Sequence, residues 1–425
     1  MTQPATLRRE LGVFAASGLG LGSILGTGVF VGLGLVAGVV GAGVLPAVLL
    51  AGLLAVANGL SSAQLAAAHP VAGGTYEYGY RLLSPWFGFT AGSAFLLAKS
   101  ASAATAALAI AGHVLTASGI EDGVGVRIAV GLLVLAVTGR IAAAGVRLGA
   151  VVNGVLVGFT ALVLLAVSVV ALSSGRAGMA DPAAFELMTP QNLLHGTALA
   201  FVAFTGYGRI ATLGEEVREP RRTIPRAIGT ALFVSFALYA LVAAGALKAL
   251  GPTEFHDATV RTGAPLEAVV EAAGWPGLRY AVAAAALTAM AAVLLNLQLG
   301  LSRVALAMAR RGDLPAGLAH IDAVTSSPAR ATWAVTALIA GITGLGSVSM
   351  AWSFSAFTVL VYYGITNLAA LRLGPADRFA PRAVSWLGLG GCALIAIFVE
   401  PRIAAAGIAT QVALLTLRTL LRKRG

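Results

Sequence analysis

Charge is scarce in this chain. Of its 425 residues 11% are Asp, Glu, Lys or Arg and 58% are hydrophobic, whereas a soluble globular chain carries about 25% charged and roughly 45–50% apolar residues. Too few charges remain to cover a ball of this size in water, so the solvent around most of it is lipid. That excludes an ordinary soluble enzyme. A single cysteine, Cys392, excludes a disulfide framework and a cysteine-built metal cage. No G-x-x-x-x-G-K-[ST] run occurs, so ATP is not the energy source. Histidines 69, 113, 195, 256 and 320 lie scattered without H-E-x-x-H or other ligand spacing and read as ordinary interfacial residues. The sequence thus offers no metal, no cofactor and no clustered catalytic constellation. The 53 glycines follow no G-X-Y period; they fall inside apolar runs, as membrane helices tolerate.

What the chain has instead is long apolar runs. A membrane helix needs about 20 mainly apolar residues, and such runs cover 11–40, 44–67, 86–115, 126–143, 148–172, 193–213, 227–250, 277–309, 331–347, 352–371, 383–399 and 403–420. The first carries a glycine-broken polar stretch instead of a plain apolar core and lacks a small-residue cleavage site, so it reads as a span and not as a signal peptide. Twelve spans put both termini on one side. Of the 28 lysines and arginines, only Arg127, Arg176, Lys248, Arg261, Arg279 and Arg402 then fall on the far side, with Lys99 and Arg209 inside the membrane. Positive residues mark cytoplasmic loops, so both termini are expected in the cytoplasm. The formal charge of +11 is therefore a topology determinant and no sign of nucleic acid. The connections 214–226, 251–276 and 310–330 are too short for further domains; the second is expected to fold as a short lid over the outer face.

Two spans are not plain helices. The first contains GSILGTGVF with Gly26, Thr27 and Gly28 at mid-span, and the sixth contains FVAFTGYGRI with Thr205, Gly206, Tyr207 and Gly208 there. Each glycine costs about 1 kcal/mol of helix propensity relative to alanine, so clustered glycines make a weak spot. Unwound backbone at that depth must line a cavity or be buried in protein. Half-helix ends offer amides to an anion and carbonyls to a cation, and an amino acid zwitterion presents both charges. Glycines also serve close helix packing. The matching positions of the two breaks, five spans apart, point instead to a transporter site between inverted repeats, about 11–172 and 193–371, with two extra helices at 383–420.

The chain resembles the amino acid–polyamine–organocation (APC) superfamily of secondary transporters. The likeness is carried by GSILGTGVF, AGGTYEYGYRLLSPWFGFTAG (72–92), FTGYGRIATLGEEVREPRRTIPRAI (204–228) and SRVALAMARRGDLP (302–315). The resemblance implies an all-α membrane protein of twelve helices, a five-plus-five inverted repeat with two added helices, forming one domain over 1–425. It also implies transport of amino acids by alternating access. By motif matching, Ile24, Gly26, Thr27 and Gly28 are expected to hold the substrate's carboxylate and backbone. Phe204, Thr205, Gly206 and Gly208 are expected to face its ammonium and side chain.

An ionisable group at mid-bilayer costs a few kcal/mol and needs a reason. Lys99 lies mid-span in FLLAKSASAATAA. It is a candidate proton carrier or partner of a substrate carboxylate, or else it points into a watery vestibule or bonds exposed carbonyls. The family's proton-coupling lysine belongs in the fifth span, where the aligned position is Thr160, so Lys99 does not inherit that role. Arg209 follows the sixth break and stays charged; it turns to Glu215 or Glu216, or it faces the cavity. In the cavity, two fixed cations would disfavour cationic amino acids and polyamines and favour neutral or acidic amino acids. The positions aligned with a sodium site of related folds are Ala291 and Ala292, which lack side-chain oxygen; Thr288, Asn296 and Gln298 offer it only at other depths. Proton coupling or exchange is therefore expected ahead of sodium. Tyr76, Glu77 and Tyr78 read as an aromatic interface anchor or a gate, and Trp275, Trp352 and Trp386 as interface anchors.

The function expected is a secondary amino acid permease of the cytoplasmic membrane, with an amino acid, membrane lipid and a co-transported proton as partners. The alternatives are a carrier of cationic amino acids or polyamines, a channel, or a membrane-embedded enzyme.

Overall fold

In the computed structural model, residues 11–70, 73–120, 123–145, 149–176, 178, 182–211, 217–322 and 327–424 are described. Among them no strand occurs, and a lone bridge joins Leu11 to Val217. The helices in chain order are α1 Val13–Ile24, α2 Leu33–Val40, α3 Val44–Ala68, α4 Thr75–Leu82, α5 Pro85–Ser118, α6 Val124–Ala143, α7 Ala150–Ser173, α8 Pro190–Phe204 and α9 Gly208–Ala211. They continue with α10 Pro220–Ala249, α11 Pro252–Thr262, α12 Pro265–Ala272, α13 Arg279–Arg310, α14 Ala329–Thr343, α15 Val348–Leu371, α16 Arg382–Ile397 and α17 Pro401–Arg424. Proline occupies the first turn of α5, α8, α10, α11 and α12, where its missing N–H has no intrahelical partner to lose.

Eight helical stretches among the described residues are long and apolar enough to cross a membrane, and α14 and α16 are shorter apolar helices. One of the eight, Val13–Ala68, has 56 residues; at 1.5 Å per residue that is about 84 Å, nearly three hydrocarbon thicknesses. It therefore has to fold back. The reversal falls at Gly41, whose φ of +55° suits glycine. Gly28 lies against Ala203 and Val40 against Gly196, whereas Gly43 lies against Met188 and Gly59 near Tyr207. The first arm thus runs up the α8 segment and α3 runs back down it.

α5 sits at the centre. Its alanines and serines from Ala98 to Ala109 are buried, because α4, α6, α13, α14 and α15 all pack on it. Small side chains let those backbones approach closely. α6, α7 and α17 present Leu133, Val151, Leu162 and Leu417 outward, as a lipid-facing perimeter requires.

The 251–276 connection forms two helices, α11 and α12. α11 crosses α2: an added Cβ on Gly38 would lie 2.2 Å from His256, and His256 Nδ1 stands 3.0 Å from Gly34 O. α12 is tied to α5 by His113 Nδ1 and Glu267 at 2.8 Å.

At the other end, the interface-anchor reading of Tyr76, Glu77 and Tyr78 is corrected. They are buried in α4: Tyr76 and Glu77 meet charged partners from the segment after α13 and from α17, and Tyr78 packs with Leu65, Ala369 and Leu373. Arg311 grips Glu77 at 3.1 and 2.5 Å, Tyr76 donates to Asp313 at 2.9 Å, and Arg418 reaches Asp313 at 2.7 Å. The hydrogen bonds to Glu77 raise the pKa of Arg311, and burial, followed by the Asp313 charge, pushes that of the Tyr76 phenol up. Trp352 is likewise no interface anchor. It is 2% exposed, donates to Leu199 O at 3.0 Å and packs on Gly32; Trp275 and Trp386 are exposed.

Candidate functional site

Both glycine-rich segments interrupt their helices. α1 stops at Ile24; Leu25 and Gly26 leave the helix, and a π turn over Gly28–Gly32 leads into α2. α8 stops at Phe204 and passes through a 3-10 turn, Thr205–Tyr207, into α9. The breaks touch. A Cβ added to Gly206 would lie 2.2 Å from the Ser23 carbonyl oxygen, and one on Gly28 would lie 2.6 Å from the Ala203 Cβ. Only hydrogen fits at these two positions.

Interruption strips carbonyls of their helical donors, and a buried acceptor left bare costs about 1–3 kcal/mol. Side chains from other helices add donors, beside the Gly208 N–H that Thr205 O already accepts. The Tyr239 hydroxyl of α10 donates across both breaks, 2.7 Å from Ile24 O and 3.1 Å from Ala203 O. The Tyr363 hydroxyl of α15 is 3.3 Å from Thr205 O. Lys99 donates to the Thr205 hydroxyl at 2.7 Å and to its carbonyl at 3.4 Å, and that hydroxyl donates to Val202 O. Of the readings open for Lys99, the bond to a carbonyl exposed by a break is therefore present.

A cavity of about 410 Å³ lies against the breaks, within the range of small-molecule sites. Ile24, Thr27, Gly28, Thr205, Gly206, Gly208, Lys99 and Arg209 line it, with Phe95 and Ser102 of α5, Val293 and Asn296 of α13, and Trp352. It extends past Arg303 and Arg310 to Gly73 and Pro328, at the end of the bundle where α4 meets the loop after α13. No carboxylate stands among its described walls. Thr27 is 4% exposed, and its hydroxyl is buried with no hydrogen-bond partner among the described residues.

Three expected residues lie elsewhere. Gly26 packs on Val293 instead of lining the cavity. Phe204 faces the opposite way, between α3 and α10, with its ring 5.1 Å from that of Tyr239. Thr160 is buried in α7 away from the cavity walls. The Ile24 carbonyl accepts from Tyr239. Glu215 and Glu216, the expected partners of Arg209, lie outside the described residues. Of the alternative sodium oxygens, Asn296 lines the cavity, Gln298 bonds Leu135 O and Thr336, and Thr288 bonds its own helix. Among the described residues no group of His, Cys, Asp and Glu forms a metal site.

Sequence reasoning missed Tyr239, Tyr363, Arg303 and Arg310. A signal for the first existed: a phenol within an apolar span must find an acceptor, and carbonyls at a helix break are the nearest source.

An apolar helical bundle in which two interrupted helices meet at an internal polar cavity is a polytopic membrane protein built to handle a small solute. The chain belongs to the amino acid permease family, whose model matches residues 17–415. It is a transporter and not an enzyme. An uncharacterised transporter of Mycobacterium tuberculosis is 40% identical over 409 residues, 96% of this chain and 90% of that one. A branched-chain amino acid permease of Bacillus subtilis is 26% identical over 404 residues, 90% and 85% of the two chains. A human protein named cationic amino acid transporter 4 is 29% identical over 401 residues, 87% of this chain and 61% of its own length.

Proposed function

We propose that this permease carries neutral or acidic amino acids by alternating access across the cell membrane, as a twelve-span, five-plus-five inverted repeat with both termini cytoplasmic. The substrate carboxylate meets amides and the hydroxyl around Thr27 and Gly28; its remaining atoms face Thr205, Gly206 and Gly208. The observation that carries the substrate class is Lys99, 7% exposed in the cavity wall and bonded to the neutral oxygens of Thr205. In its protonated form that amine repels a second cation at 4 Å by about 4 kcal/mol at an effective dielectric constant of 20. Arg209, Arg303 and Arg310 line the same space. That argument sets aside the substrate class in the human relative's name, and it is compatible with the branched-chain relative's. The inferred driving force is a proton gradient or exchange, since Ala291 and Ala292 carry no side-chain oxygen for sodium.

The test is competition by each common amino acid against a labelled one in proteoliposomes, repeated under imposed pH and sodium gradients. Neutral or acidic competitors are expected to block uptake in a saturable manner. Preferential block by arginine, lysine or polyamines overturns the substrate class, and flux without saturation or counterflow overturns the carrier reading.

A further inference from the structure

A second cavity, of about 230 Å³, opens on the outer surface between α3 and α10. Its described walls are all apolar, and two of them, Leu53 and Phe233, are 60% and 74% exposed. In a membrane protein such a groove faces acyl chains. Along α10 it runs from Pro225 to Phe236, about 17 Å at 1.5 Å per residue, close to half of a hydrocarbon core of about 30 Å. The groove is one leaflet deep.

Burying a chain here gains little apolar transfer energy, because the competing solvent is also hydrocarbon. Selectivity has to come from the headgroup end. There Arg226 continues the helical face of Gly229, Phe233 and Phe236 at spacings of three, four and three, and Arg222 lies one turn further on. Both arginines are exposed. Arg222 faces Glu219 at 3.4 Å in an exposed pair of small worth, and Arg226 has no ion pair or hydrogen bond among the described residues. A guanidinium at the lip of an acyl-length groove matches a phosphate in charge and bonding geometry.

We propose that this groove is a lipid site holding one acyl chain of an anionic glycerophospholipid, with its phosphate against Arg226 and Arg222. The site is joined to the transport machinery. Phe204 forms its inner wall, stacks on Tyr239 at 5.1 Å, and Tyr239 holds both helix breaks. An occupied groove thus braces the break pair from behind.

The experiment uses the full purified chain in neutral detergent, loaded with dioleoyl phosphatidylglycerol or dioleoyl phosphatidylcholine, with retained lipid counted by native mass spectrometry. Phosphatidylglycerol is expected to be retained preferentially. Gly229→Leu, at a position where an added Cβ meets nothing within 4 Å, fills the groove and lowers that retention at least about fivefold, which corresponds to roughly 1 kcal/mol. Arg226→Gln brings retention down to that of phosphatidylcholine. Equal retention of both lipids by the parent, or undiminished phosphatidylglycerol on a monodisperse Gly229→Leu protein, overturns the proposal. If Gly229→Leu does not elute as a single species, Arg226→Gln decides: an unchanged preference for phosphatidylglycerol overturns it. The measurement is independent of which amino acid is carried.

Discussion

Tyr239→Phe isolates the interaction on which the geometry of the two breaks depends. The substitution keeps the ring that stacks on Phe204 and removes one oxygen, the donor shared by Ile24 O and Ala203 O. Tyr239, Ile24 and Ala203 are all buried, so neither carbonyl has a ready replacement among the described side chains. Leaving a buried acceptor without its donor costs about 1–3 kcal/mol. If that cost falls on the arrangement that binds substrate, affinity drops by roughly 5- to 150-fold. The assay is substrate affinity by equilibrium binding on purified protein, paired with thermal unfolding in the same detergent. A pin that shapes the site lowers affinity by more than the shift in unfolding temperature explains. A variant with parental affinity and parental uptake refutes the reasoning, because the breaks would then keep their shape without the bridging hydroxyl.

The other expectations are shorter. Gly206→Ala abolishes uptake in folded protein, because its methyl would meet the Ser23 carbonyl oxygen at 2.2 Å and push the breaks apart; uptake above background would count against their contact. Thr27→Val preserves shape but removes an unpartnered hydroxyl and weakens apparent affinity up to about tenfold; unchanged affinity takes Thr27 out of the site. Arg209→Ala, opening a wall of the cavity, increases inhibition by cationic amino acids, read in the same competition assay; an unaltered inhibition profile assigns the arginine to anchoring. Lys99→Met abolishes stimulation of uptake by an acid gradient if the lysine carries the coupled proton, and persistent stimulation assigns it to holding Thr205.

The breaks were legible because their cause is local. Glycines clustered at mid-span weaken a helix wherever it lies, and both segments do leave the α-helix where their glycines cluster. Side-chain direction was not legible to the same degree. Phe204 and Thr205 are neighbours in the motif, yet one lies buried behind the groove between α3 and α10 while the other faces the cavity. Consecutive helical residues point about 100° apart, but which of the two meets the cavity is set by the placement of the surrounding helices, which the motif does not carry. The interface-anchor reading of Tyr76, Glu77 and Tyr78 failed for a different reason. An aromatic–acidic cluster at a span end suits the membrane interface, and its burial depends on Arg311, Asp313 and Arg418, which come from elsewhere in the chain. Trp352 sits near the start of a span in sequence but packs on Gly32, a contact fixed by tertiary arrangement.

The donors to the breaks fall into two sets, and the division bears on how the proposed carrier moves. Tyr239 joins α10 to α1 and α8, and α3 packs along both α8 and α10. Lys99 and Tyr363 reach Thr205 from α5 and α15, which pack on each other. α5 also meets α13, and beyond α13 Arg311 is fastened to Glu77 beside α5. If α1, α3, α8 and α10 rock as one body, the Tyr239 bonds travel intact while the bonds to Thr205 are broken and remade. Only the second set can then report substrate. On the proposed reading, a carboxylate bound near Thr27 would compete with Thr205 for the Lys99 ammonium, adding a full opposite charge where Thr205 offers only neutral oxygens. Substrate would then weaken a contact that ties the proposed moving body to its scaffold, and this differential contact is what a ligand must supply to shift a conformational equilibrium.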